Sequence, residues 1–197
     1  MPKSQILGFD FDLTLADSRR SINDALDYAI SQDMLARKHS LDIPLGTFTL
    51  DQIIKQLNVL DHEKFKSNFK NIYLEHSYKK TLVSPNCVET LTILSSLGCK
   101  LVLISAKLEI TLLHSLNYLG LNEFFSKVVS VSQNGIKEQA LIDTKVDTYI
   151  GDTQSDIDSA NKAGCQSIYY DYYSEAVVKD YRHRISNLSE VLPLVTI

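Results

Sequence analysis

Two carboxylates stand two residues apart in Phe9-Asp10-Phe11-Asp12-Leu13-Thr14-Leu15, where an apolar run opens into more polar sequence. A second acidic pair follows another apolar run, in Tyr149-Ile150-Gly151-Asp152 and the adjoining Thr153-Gln154-Ser155-Asp156. Taken singly, either pair reads equally well as turn-forming or helix-capping aspartates. Gathered in one partly desolvated cleft they would repel one another strongly, and a hard divalent cation is the simplest remedy. Magnesium takes oxygen ligands and is commonly held by one or two carboxylates together with substrate phosphate, so it fits this set. Ser105, in Ser105-Ala106-Lys107, and Lys137, in Gly135-Ile136-Lys137-Glu138, follow two further apolar runs. A hydroxyl donor and a cation are what the equatorial oxygens of a phosphoryl group require.

Groups so far apart in the chain meet only if the elements carrying them end together. Residues 5–9, 100–104, 127–131 and 147–150 are short, near-continuous apolar runs of strand length, which predicts strands covered on both faces. Between them lie rows at helical spacing, Val88, Leu91, Leu94, Leu97 before Gly98 and Leu112, Leu113, Leu116, Leu119 before Gly120. Each glycine stands where a helix C-cap is expected. Strands alternating with helices predict an α/β fold with a doubly wound parallel sheet, whose ligands bind at the carboxyl ends of the strands.

Residues 17–81 break the alternation with three helical patterns and no strand. The first runs from 19 to about 35 with Ile22, Leu26, Ala29 and Ile30 on one side; the second starts near 49 with Ile53, Ile54 and Leu57; the third spans 62–78 with Phe65, Phe69, Ile72, Tyr73 and His76. This predicts an all-helical block, 17–81, inserted into a core made of 1–16 and 82–197, and such a block reads as a lid or cap. Pro44 and Gly46 mark its most loop-like segment, and Pro85 the return to the core.

With 197 residues, 44% of them apolar, the chain can bury a substantial core. A net charge of -4 provides no global basic field, so nucleic acid is not an expected partner, and the short run Arg37-Lys38-His39 reads as a solvated helix end. Cys87, Cys99 and Cys165 are odd in number and far apart, which predicts reduced packing residues. No apolar stretch reaches ~18 residues, and the one before Asp10 is too brief for a signal-peptide core. The expectation is a cytoplasmic protein with no membrane partner, a monomer or homodimer.

The motifs together resemble the haloacid dehalogenase superfamily of phosphohydrolases along the whole chain. Asp10-Phe11-Asp12-Leu13-Thr14-Leu15, Ser105, Lys137 and Gly151-Asp152 with Asp156 appear in order, each directly after a strand, and Ala16-Asp17-Ser18 and Ala163-Gly164 are also similar to the family. The resemblance implies a Rossmann-like core with the helical cap of the phosphoglycolate phosphatase-like group, acting on a small phosphorylated metabolite. It makes Asp10 the nucleophile and Asp12 the general acid and base, with magnesium on Asp10, the backbone carbonyl of Asp12 and Asp152. Thr14, Ser105 and Lys137 would hold phosphate, with Gly151, Asp156 and Lys107 in support and Asp156 near the metal or on Lys137. In the cap, Gly46 and Thr47 resemble the loop that faces the active site, and Arg19, Arg20 and Lys55 join Thr47 as candidate specificity residues.

The chain departs from the family pattern at Leu13 and after the second strand, and its interval from Lys137 to Asp152 is short. Leu13 stands where glycine is usual, which alters the backbone angles of the loop without removing a reacting group. Ser105-Ala106-Lys107 replaces the commoner threonine-asparagine pair, so Lys107 competes with Lys137 for the phosphate. The alternatives are a phosphosugar mutase, similar to β-phosphoglucomutase, which returns phosphate to its substrate, and a non-catalytic phosphate-binding module that keeps the fold.

Overall fold

The computed structural model describes residues 4–33, 50–132, 135–173 and 177–195. Eight strands are seen: β1 (Ile6–Phe9), β2 (Ala16–Asp17), β3 (Leu82–Val83), β4 (Lys100–Ser105), β5 (Lys127–Ser130), β6 (Thr148–Gly151), β7 (Gln166–Tyr170) and β8 (His183–Ile185). Among the described residues seven α-helices accompany them: α1 (Arg19–Ser31), α2 (Leu50–Gln56), α3 (His62–Glu75), α4 (Cys87–Ser96), α5 (Glu109–Leu119), α6 (Lys137–Thr144) and α7 (Gln154–Ala163). Six strands form one sheet in the order β5-β4-β1-β6-β7-β8, every pairing parallel.

The sheet is apolar on both faces, as its uninterrupted runs require. Along β4, Leu101 and Leu103 join the cluster that holds Leu91, Leu94, Leu112 and Leu116 of α4 and α5. Val102 and Ile104 join the cluster that holds Leu141 of α6 and Ala160 of α7. The chain thus winds outward from β1 through β4 to β5, then crosses back to β6 on the other side of β1. That reversal opens a crevice beyond the carboxyl end of β1, where such sheets bind ligands.

The four expected strands are present, and the tyrosine-rich stretch that begins at Tyr169 holds the buried end of a further strand, β7, in keeping with its reading as a strand end packed on the core; β8, and the antiparallel pairing of β2 with β3 through Ala16↔Val83 and Asp17↔Leu82, were not foreseen. The helical rows need correction. Val88 and Leu97 are exposed, as is Leu113, whereas Thr90, Leu91 and Leu94 and then Thr111, Leu112 and Leu116 are buried. At 3.6 residues per turn, a row spaced by three drifts steadily around the axis, so Val88 and Leu97 lie about 90° to either side of its buried middle.

The helical segments between β2 and β3 carry an apolar cluster of their own, with Leu26, Ile53, Ile54, Phe65, Phe69 and Tyr73 among its members. α1 ends at Ser31 and α3 at Glu75, where His76 is half exposed rather than part of the apolar face. The basic run at 37–39 and the loop with Gly46 and Thr47 lie outside the described residues.

Candidate active site

Asp10 follows β1 directly, and its backbone N–H donates to the Ile150 carbonyl at 2.9 Å, tying it to β6. Beyond it the chain folds tightly around one acceptor: the N–H groups of Thr14, Leu15 and Ala16 all point at the Phe11 carbonyl. The turn needs a left-handed residue, and Leu13 supplies it at φ 58 with its side chain buried. Leucine tolerates this conformation at a cost of roughly 1–2 kcal/mol, which its apolar burial offsets.

The turn sends the two neighbouring carboxylates to different partners. Asp10 is buried and accepts from Lys137 Nζ at 3.0 Å. Asp12 accepts from Lys107 Nζ at 3.1 Å through Oδ1 and 3.5 Å through Oδ2. The two lysines that compete in the sequence therefore serve different aspartates. Ser105 closes β4 at the same sheet edge, buried, its hydroxyl accepting from the Lys107 N–H at 3.3 Å. Thr14 is fully buried, and its hydroxyl, assigned to phosphate from the sequence, lies on Asp152 Oδ1 at 3.2 Å.

Asp152 follows β6, and Thr153 caps α7. Thr153 accepts from the Asp156 N–H, while Asp156 Oδ2 receives the Thr153 N–H at 3.0 Å and its hydroxyl at 2.6 Å, a reciprocal capping box. Asp156 Oδ1 accepts from Lys137 Nζ at 2.5 Å, so both of its oxygens are engaged. The Tyr149 ring lies 5.6 Å from Lys137 Nζ, and its hydroxyl donates to the Ile104 carbonyl at 2.7 Å. Gly151 permits this crowding, since a Cβ there would stand 2.5 Å from the Asp156 Cβ and Cγ. Gly151→Ala is expected to push Asp156 off Lys137, lowering stability by about 1–3 kcal/mol and activity by at least about 10-fold. Thermal melts and steady-state rates check this; a variant matching the wild type in both would show that the close approach is dispensable.

One carboxylate oxygen each from Asp10, Asp152 and Asp156 lie within 4.8 Å of one another, and no second such metal-capable group occurs among the described residues. Burial pushes the Asp10 carboxyl up to about 7; Lys137 opposes the shift, and Asp156 and Asp12 add to it. Burial, then Asp156 and Asp10, hold Asp152 well above the ordinary carboxylate range. Burial alone would pull Lys137 down, but Asp10 and Asp156 outweigh it and hold the ammonium well above the usual lysine value. Lys107 is likewise raised: burial works against the charge, and Asp12 with Tyr73 more than offsets it. The cluster is therefore short of positive charge, and its donors are all oxygens.

Residues 7–170 match the family described as haloacid dehalogenase-like hydrolases. The chain belongs to that family. As a haloacid dehalogenase-like hydrolase it is an enzyme, and it is 27% identical over 183 residues to a phosphoglycolate phosphatase of Aquifex aeolicus (strain VF5), covering 83% of each chain. Its fold is also that of a haloacid dehalogenase-like family hydrolase from Streptococcus pneumoniae (TM-score 0.79, 20% identity, 98% of this chain and 99% of that one). A structure from Lactobacillus plantarum proposed to be a phosphoglycolate phosphatase superposes with TM-score 0.83 at 15% identity, covering 98% of this chain and 100% of that one.

Arg19, a candidate specificity residue in the sequence, donates from its guanidinium to Asp17 at 2.7 and 2.9 Å and lies 4.7 Å from the Tyr173 ring centre. Gly46 and Thr47 cannot be placed, being outside the described residues. Three contributors escaped the sequence reading. Thr153 had a readable signal, the threonine three residues ahead of Asp156. Tyr149 and Tyr73 had none, because each acts across long chain separations.

Proposed function

We propose that this hydrolase is a phosphatase that removes phosphate from a small phosphomonoester through an aspartyl-phosphate on Asp10. The observation that carries the reading is the cluster of Asp10, Asp152 and Asp156 near Lys137, Asp10 and Asp156 buried and Asp152 partly so, at the strand-end crevice, with Asp12 held separately beside it. The Asp10 carboxylate would attack phosphorus as the ester P–O bond breaks, and Asp12 would donate a proton to the departing oxygen. Asp12 would then take the proton of the water that hydrolyses the acyl phosphate, returning Asp10 to its free form. Lys137 and Ser105 would hold phosphate oxygens, Thr14 would orient Asp152, and Asp156 would fix Lys137.

The donor set fits magnesium, held by Asp10, Asp152 and the backbone carbonyl of Asp12. When bound, it would supply the charge that lets a carboxylate approach a phosphate dianion. The phosphoglycolate phosphatase relative supports a small substrate, and the helical segments of 17–81 would serve as a cap, attached through β2 and β3. No helix of the described residues is long and apolar enough to cross a membrane.

The test is hydrolysis of an aryl phosphate by the purified protein with magnesium and with chelator. Magnesium-dependent turnover is expected; equal, negligible rates in both would favour a binding module instead.

The Asp10 carboxyl also ties metal binding to pH. An acid whose pKa rises on folding stabilises the fold below its unfolded value and loses that contribution as pH climbs through its folded value, here from 3.8 to about 7. A cation offsets the loss only where the carboxylates are ionised. Magnesium should therefore raise the melting temperature by about 5 °C or more near pH 8 and much less near pH 5.5. An equal rise at both would contradict this assignment of the cluster.

A further inference from the structure

Lys107 is nearly inaccessible, with 6% of its side chain exposed against 22% for its partner Asp12. A second contact to the same ammonium comes from the helical segments: the Tyr73 ring of α3 is centred 4.7 Å from Lys107 Nζ, and Phe11 lies 5.8 Å away. Tyr73 is pinned in its turn. Ser115 of α5 donates its one hydroxyl proton to the Thr111 carbonyl at 2.9 Å, so in its 2.9 Å contact with Tyr73 the tyrosine is the donor. A continuous path therefore runs from α5 through Tyr73 and Lys107 to Asp12. A cation enclosed by a carboxylate and two aromatic faces has few directions in which to move.

We propose that Lys107 is a positioning residue for Asp12 rather than a phosphate ligand, and that Tyr73 makes its hold depend on the seating of the helical segments. With Tyr73 bonded to Ser115, Lys107 is covered and aims the Asp12 carboxyl at the leaving oxygen. With Tyr73 displaced, Lys107 gains water and Asp12 loses its fixed direction. This rests on the phosphatase reading and on the roles given there to Asp10 and Asp12. The proton goes from the Asp12 carboxyl to the leaving oxygen as the P–O bond breaks, and Lys107 keeps its own protons throughout.

Leaving-group dependence separates this role from a merely structural one. A nitrophenolate departs with little protonation, whereas an alkoxide needs its proton, so a misdirected Asp12 damages only the second reaction severely. With the full chain and magnesium, Lys107→Met should lower kcat/KM for an alkyl phosphate on the order of 10²-fold and for p-nitrophenyl phosphate by less than about 5-fold. Combined with Asp12→Asn, it should add nothing further on the alkyl ester, because both changes remove one function. Lys107→Arg keeps the charge and should recover the alkyl ester to within about 10-fold of wild type. Tyr73→Leu should show the same selectivity in weaker form, and it decides the matter if the methionine variant does not fold. Equal losses on the two esters, or losses that multiply in the Asp12→Asn background, overturn the proposal. A wild type that hydrolyses neither ester overturns the phosphatase reading as well; one that needs Asp12 for the alkyl ester but is indifferent to Lys107 and Tyr73 overturns this inference alone.

Discussion

Asp10→Asn is expected to lower turnover of any phosphomonoester by on the order of 10⁴-fold or more while leaving the protein folded. The amide keeps the shape of the side chain but cannot form the acyl phosphate, and the neighbouring carboxylate, Asp12, is directed to Lys107 instead. The fold should survive for a reason already visible in the charges. Ionised Asp10 is unfavourable in this buried place above about pH 7, where its carboxyl titrates. A neutral amide removes that cost, and Lys137 retains Asp156 as its partner at 2.5 Å. Near pH 8 without magnesium, the variant should therefore melt no lower than wild type, and its response to magnesium should be reduced. Rates with an aryl phosphate and melting curves with and without the metal check both halves. An active Asp10→Asn protein would refute the nucleophile assignment.

How much of this could be read beforehand follows from what each feature needs. The central strands needed only burial on both faces, and Leu101 to Ile104 announces that locally. Edge strand β8 buries Ile185 alone, and β2 and β3 are two residues each, too short for any period to show. The places of Asp10, Ser105, Lys137 and Asp152 were legible because each ends or follows a strand of a parallel sheet or opens a helix. Their pairing was not: the division of Lys137 to Asp10 and Lys107 to Asp12 depends on a turn around the Phe11 carbonyl with Leu13 at positive φ. A chain position usually given to glycine marks the spot, but not the direction in which the side chains leave it. Tyr73 reads as one more apolar helix residue because its partners, Lys107 and Ser115, lie 34 and 42 residues further along the chain.

Lys137→Met should be the single change in the site that costs the fold most stability. The methionine fills a similar volume, so the loss is one of charge: Asp10 at 3.0 Å and Asp156 at 2.5 Å lose their shared cation, with Asp152 close by. Removing one member of a buried ion pair typically costs about 3–5 kcal/mol, because the remaining charge has nothing to offset its desolvation. In a chain of this size that corresponds to a fall in melting temperature on the order of 10 °C. The fall should depend on pH in a defined sense. Lys137 is the group that lowers the Asp10 carboxyl, so its removal moves that carboxyl further above 3.8. An acid raised on folding stabilises at low pH and loses that contribution as pH rises, so the share of the deficit carried by Asp10 should fade near pH 5.5 and be full near pH 8, while the lost pairing with Asp156 leaves a remainder at both. Magnesium should recover part of the stability near pH 8 by replacing some of the missing charge, yet turnover should stay about 10²- to 10³-fold down, since the hydrogen bond proposed from the lysine to phosphate would not be restored. A deficit that grows on acidification instead would mean that Lys137 does not serve the carboxylates, and the electrostatic account of the site would fail with it.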